Sequence, residues 1–186
     1  MIALRIGIII FGTASILLIG SLLWFGLSPQ RAPASFPTST TITPDFSAFD
    51  QASPLPGYED RADLAKLRQS MRGPFVVNFF ASWCQPCRLE HGYLNTFAAQ
   101  NPGVLIGLAY RDDPINAAQY LTTDGNPYAG VASDTDSLNA LNFGLTGVPE
   151  TYIFDADGRL LFRSPGPLVG ALRDQFEDAW RKASRP

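Results

Sequence analysis

The stretch FVVNFFASWCQPC, residues 75–87, decides the fold. Its first half, Phe75 to Ala81, is a short apolar run of valine and phenylalanine, which suits a strand buried on both faces. Its second half turns through Ser82-Trp83-Cys84 into a helix expected over Gln85 to Asn101. There Leu89, Tyr93, Leu94 and Phe97 fall on one side, and Pro102-Gly103 ends the pattern. Val104 to Tyr110 is the next apolar run, so strand, helix and strand form a right-handed parallel crossover. Upstream, Tyr58 to Arg72 carries Leu64, Leu67 and Met71 at helical spacing and stops at Gly73-Pro74. Downstream, helices are expected over Ile115 to Thr123 and Ser137 to Phe143. Thr151 to Phe154 and Arg159 to Arg163 flank an Asp-Gly turn as a hairpin, and Leu168 to Lys182 closes as an amphipathic helix with Leu172, Phe176 and Ala179 inward. The order is βαβ, a linking region, then ββα around one sheet: an α/β fold with no internal repeat.

The remaining segments are unlike this domain. Of the 186 residues, 46% are apolar and only 17% charged, but the excess is concentrated in Ile6 to Leu27, where no charged side chain occurs. As a helix rising about 1.5 Å per residue that segment reaches about 33 Å, enough for a hydrocarbon layer of about 30 Å. It is read as a transmembrane anchor, with residues 1–5 on the cytoplasmic side and the large domain exported; Trp24 and Phe25 sit at the outer interface or fill the span. A cleaved secretory signal is the competing reading, with Ala32-Pro33-Ala34 as a possible cleavage site, but a signal's apolar stretch is shorter, about 7 to 15 residues. Residues 28–43 (SPQRAPASFPTSTTIT) have almost nothing to bury and read as an extended tether. The folded domain is expected over 44–186. With Arg5 and Arg31 set aside it carries 12 basic against 17 acidic residues, a balance that argues against nucleic-acid binding.

Two cysteines are too few for a disulfide framework, and with the single His91 too few for most zinc sites. Cys84 and Cys87 stand three apart at the start of the expected helix, within disulfide reach of each other. The positive end of the helix stabilises a thiolate at Cys84, which is therefore the attacking nucleophile, exposed at the helix start, with Cys87 as the resolving thiol. Pro86 falls in the first turn, where a missing N–H costs little. A purely structural disulfide would be a poor staple, since a loop this short constrains little chain entropy. Haem attachment would need a histidine where Arg88 stands. Iron–sulfur ligation would need a second cysteine pair. A copper site from Cys84, Cys87 and His91 is chemically possible, while a surface histidine on the helix is the plainer reading of His91.

Trp83-Cys84-Gln85-Pro86-Cys87 after a buried strand, with Val148-Pro149 before a later one, resembles the thioredoxin superfamily, and implies a thioredoxin-like fold whose cis Pro149 lies against the cysteine pair and receives the substrate chain. A narrower likeness follows from Asn78 to Cys84, Cys87-Arg88-Leu89-Glu90-His91, Tyr110-Arg111-Asp112-Asp113, Gly125-Asn126-Pro127-Tyr128 and Gly147-Val148-Pro149-Glu150-Thr151. These are similar to the DsbE/CcmG family of membrane-anchored, periplasm-facing thiol:disulfide proteins of cytochrome c maturation. Gln85 and Thr146-Gly147 are small departures from its commonest wording. The resemblance implies a protein-disulfide reductase with no cofactor beyond the Cys84–Cys87 disulfide. A membrane thiol transporter of the CcdA or DsbD type would be its electron donor. Apocytochrome c, or its haem-ligation partner, would be the acceptor. A less specialised exported reductase or oxidase, and a tethered metal carrier or binding module, are the alternatives.

Charge speaks to the direction of electron flow. Glu90 lies one turn beyond Cys87, and Glu150 follows Pro149 in the loop expected to face the pair. Carboxylates near a thiol disfavour its thiolate and so favour a pair that gives electrons away; Glu90 could also accept the Cys87 proton. Solvated surface carboxylates are the alternative reading. Trp83 is expected to shield one side of Cys84 or simply to pack. Phe143 and Tyr152 are expected in the core, and Asp112-Asp113 either borders a partner groove or forms a solvated acidic turn before Pro114.

Overall fold

Strand β1 (Phe75–Phe80) has all six residues buried, because it is the middle strand of a five-stranded sheet covered on both faces. The computed structural model describes residues 44–185. Helix α1 (Leu64–Ser70) precedes β1; α2 (Gln85–Gln100), β2 (Leu105–Tyr110), α3 (Pro114–Asp124), β3 (Gly130–Asp134) and α4 (Leu138–Asn142) follow it. The chain closes with β4 (Glu150–Phe154), β5 (Leu160–Pro165) and α5 (Ala171–Ala183). The sheet order is β3-β2-β1-β4-β5. β1, β2 and β3 run parallel, and β4 pairs antiparallel with both β1 and β5. This is the thioredoxin-like arrangement expected from the sequence.

Alternation along β1 divides the core. Val76 and Phe80 point to one face with Leu94 and Phe97 of α2, Leu121 of α3, and Phe176 and Trp180 of α5. Phe75, Val77 and Phe79 point to the other, where Phe49, Leu64, Phe143 and Tyr152 pack. Asn78 shares the face of Val76 and Phe80, which places a polar side chain under α2.

Three expectations are corrected. Tyr58 to Arg72 is not one helix: a 3-10 turn at Glu59–Arg61 is followed by a fresh start at Asp63, whose carboxylate accepts the Lys66 amide at 2.9 Å. The linking region contains β3, where Val131 is the single strand former among Gly, Ala, Ser and Asp. Its position is set by tertiary packing, since a Cβ on Gly130 would come within 2.4 Å of Leu67 Cδ2. The last helix begins at Ala171 and turns Phe176 and Trp180 inward, while Leu172 and Ala179 are half-buried. The anchor and tether expected over residues 6–43 lie outside the described residues. Among the described residues no helix is long and apolar enough to cross a membrane.

Gly107 in β2 pairs with Asn78 and lies beneath the Tyr128 ring, where a Cβ would stand 2.6 Å from Tyr128 Cγ. Gly107→Ala is therefore expected to destabilise the protein by about 1–3 kcal/mol through overpacking. The check is the urea midpoint at constant m-value.

Candidate functional site

The chain leaves β1 at Phe80, turns through Ala81, Ser82 and Trp83, and enters α2 with Cys84 as its N-cap. The Cys84 sulfur takes the place usually held by a serine or aspartate oxygen, accepting the Cys87 amide N–H at 3.1 Å. Pro86 occupies the first turn at no cost in hydrogen bonds. Cys84 and Cys87 are joined, with an S–S distance of 2.04 Å and Cα atoms 5.3 Å apart. In the dithiol form the same free amides and helix end would favour a thiolate at Cys84 over one at Cys87.

The sulfur is not exposed as expected. Cys84 retains 3% and Cys87 2% of their surface, and both belong to the apolar cluster between the sheet and α2. Trp83 on one side and Gln85 and Pro86 between them are exposed, so the disulfide lies directly beneath the surface. Trp83, 58% exposed, is fixed at its edge by donating its indole N–H to the Arg111 carbonyl at 3.2 Å.

Ser82 is held on all sides. Its amide and its hydroxyl both donate to the Asp112 carboxylate, the latter at 2.8 Å, and its carbonyl accepts from Arg88 at 3.0 Å. Asp112 is thus buried, not part of a solvated turn. Its neighbour Asp113 caps α3 through the amides of Ile115 and Asn116. Arg88 also pairs with Asp124 at 2.7 Å and lies over the Tyr120 ring.

Behind the cysteines is a buried polar chain. Glu90 is 1% exposed; one oxygen accepts from Asn78 Nδ2 at 3.0 Å and the other from the Leu168 amide at 2.7 Å. Asn78 also donates to Thr151 Oγ1 and accepts from the Tyr128 hydroxyl at 2.7 Å. Burial pushes the Glu90 carboxyl up from 4.5 to about 7, against the opposing pull of Leu168 and Asn78, because no cation is among its partners. The surface alternative for Glu90 is thereby corrected. His91 is also buried, with Nε2 2.8 Å from the Gly125 carbonyl and its ring against Tyr120; the surface reading failed because α2 is covered by α3 on that side.

The Val148–Pro149 peptide is cis, Pro149 is buried, and Val148 packs against the cluster that holds the cysteines. Glu150 does not stand as a bare charge facing the pair. Its carboxylate pairs with Arg163 and accepts the Thr146 amide at 2.9 Å, while Arg163 also donates to the Gly144 carbonyl. An ion pair with β5 across the hairpin thus closes the loop over residues 144–149. Phe143 and Tyr152 are core, as expected. The roles of Ser82, Tyr128 and Arg163 are set by partners distant in the chain, although Ser82 and Tyr128 fall within the stretches that carry the family likeness; Asn78, a lone amide inside an apolar strand, was the one local physical signal.

The redoxin family model matches residues 37–178. The chain belongs to the redoxin family. It is 36% identical over 168 residues to a probable thiol:disulfide interchange protein DsbE-2 of Pasteurella multocida, covering 90% of this chain and 85% of that one. It is 39% identical over 113 residues to the thiol:disulfide interchange protein DsbE of Tatumella citrea, where the match spans only 60% of either chain. A secreted Mycobacterium tuberculosis disulfide oxidoreductase, described as homologous to E. coli DsbE, superposes with a TM-score of 0.54 at 23% identity, over 63% of this chain and 85% of that one, and shares the fold. Within the redoxin family the chain is a thiol:disulfide oxidoreductase, and Cys84–Cys87 is its redox pair.

The raised Glu90 carboxyl carries a sign. Folded protein keeps its proton up to about pH 7, whereas the unfolded chain loses it near 4.5, so the folded state binds more protons between these values and stability falls as pH rises through them. The oxidised protein is expected to lose about 3 kcal/mol across that window relative to Glu90→Gln. Urea titrations of both proteins at pH 4.5 and pH 8 measure the difference; parallel curves would refute it.

Proposed function

We propose that this protein is an anchored dithiol reductant that delivers electrons to disulfides in apocytochrome c or in its haem-ligation partner during cytochrome c maturation. The observation that carries the reading is the Cys84 sulfur at the N-cap of α2, accepting the Cys87 amide. The likeness to DsbE proteins directs it toward cytochrome c maturation. Residues 6–27 form the anchor in the inner membrane, residues 28–43 the tether, and the domain faces the periplasm. Nucleic acid is not a partner.

The reaction begins from the dithiol. The Cys84 thiolate attacks one sulfur of the substrate disulfide; a Cys84–substrate bond forms and the other substrate sulfur leaves as a thiolate. Cys87 then attacks the Cys84 sulfur, restoring the internal disulfide and releasing the second substrate thiol. Two electrons pass from the protein to the substrate. Glu90, one turn beyond Cys87 and poised at about 7, accepts the Cys87 proton at this step. Trp83, Pro86 and Val148 shape the surface around the sulfurs, the buried Pro149 supports it from within, and the pairing of Glu150 with Arg163 fixes the Pro149 loop. A reductant working in an oxidising compartment must be recharged, and a membrane thiol transporter of the CcdA or DsbD type is the donor.

Cys87→Ser, incubated with an apocytochrome c disulfide, is expected to accumulate a mixed disulfide through Cys84, whereas Cys84→Ser accumulates none. Non-reducing gel electrophoresis with mass mapping of the linked peptide decides it. A mixed disulfide formed equally by both variants, or a potential as oxidising as about −120 mV, would overturn the assignment.

A further inference from the structure

The Arg111–Asp112 turn grips both residues that precede Cys84, although about thirty positions separate them in the chain. Asp112 retains 5% of its surface, and its carboxylate oxygens are both given to Ser82, one to the amide and one to the hydroxyl. A buried carboxylate is costly unless it is hydrogen-bonded; here the whole of that bonding is spent on one residue of the redox loop. The start of α3 does not need it, because Asp113 alone caps that helix. Next to it, Arg111 adopts φ 45°, a left-handed conformation unusual for a residue with a side chain. In that conformation its carbonyl meets the Trp83 indole, and its Nε is tied to Ser137 Oγ at 2.8 Å. Trp83, exposed but anchored at its N–H, is a rigid apolar wall beside Cys84, and a wall that is already ordered takes up a partner at low entropic cost.

We infer that Asp112 is a positioning residue of the redox centre: through Ser82 it sets where Trp83 stands and thereby how the polypeptide flanking a target disulfide is received. The inference rests on the redox reading of Cys84. It separates polypeptide substrates, which must lie against Trp83, from small disulfides, which need only the sulfur.

The test uses the full-length chain in its dithiol form, reacted with insulin and with hydroxyethyl disulfide. Asp112→Ala is expected to slow the reaction with insulin by about tenfold or more, while the rate with hydroxyethyl disulfide stays within about twofold of wild type. In a Trp83→Ala background Asp112→Ala should add less than about a twofold further loss, since the wall it positions is gone. If Asp112→Ala does not fold, Asp112→Asn, which keeps the shape and one acceptor, carries the same comparison with a smaller loss. Equal slowing toward both disulfides, an unchanged rate with insulin, or losses that multiply in the double variant would overturn the role of Asp112 while the redox reading stands. A wild-type chain inert toward both disulfides would overturn the redox reading and this inference with it.

Discussion

One amide and one sulfur organise this protein. The N–H of Cys87 would be an orphan at the start of any helix; here it is satisfied by the Cys84 sulfur, so α2 begins at the reactive atom itself. β1 delivers that atom because it is the central strand, locked between β2 and β4 in fixed register. Movement of Cys84 would require moving the middle of the sheet. The price of such rigidity is that the disulfide is covered nearly completely, and access depends on the surface residues that flank it.

Three buried carboxylates hold the surroundings in place, each assigned to one part. Asp112 holds Ser82 on the approach to Cys84, Glu90 joins α2 to β1 and to the segment before α5, and Glu150 ties the loop ending in Pro149 to β5. They differ in what faces them. Glu150 has a guanidinium, so its charge is balanced within the fold. Glu90 has only neutral donors, so burial raises its carboxyl to about 7. The same carboxylate chemistry is thus balanced by a cation in one place and held by neutral donors in the other two.

The fold was largely legible from residues 75–110, where strand, helix and strand each have a full period of apolar residues and clear stops. β3 was not, because Gly130–Asp134 contains scarcely any strand-forming side chain; it is a strand only because β2 offers an open edge and Leu64 and Leu67 leave room for a glycine. His91 was misjudged for a related reason. Helical periodicity places a side chain on a face, but only the docking of α3 determines that this face is covered.

The sequence alone determined the chemistry. Two cysteines three residues apart at a helix start, after a buried strand and with a proline in the first turn, allow few other uses, because spacing and local capping are properties of a few consecutive residues. Tertiary structure decided the environment of that chemistry. The partners of Glu90 and Asp112, the ion pair of Glu150 with Arg163, and the grip of Arg111 on Trp83 join residues from 12 to 78 positions apart, and the burial of both sulfurs depends on the same closure. Desolvation and hydrogen bonding across such separations arise only when the sheet and helices have closed, so no local pattern records them.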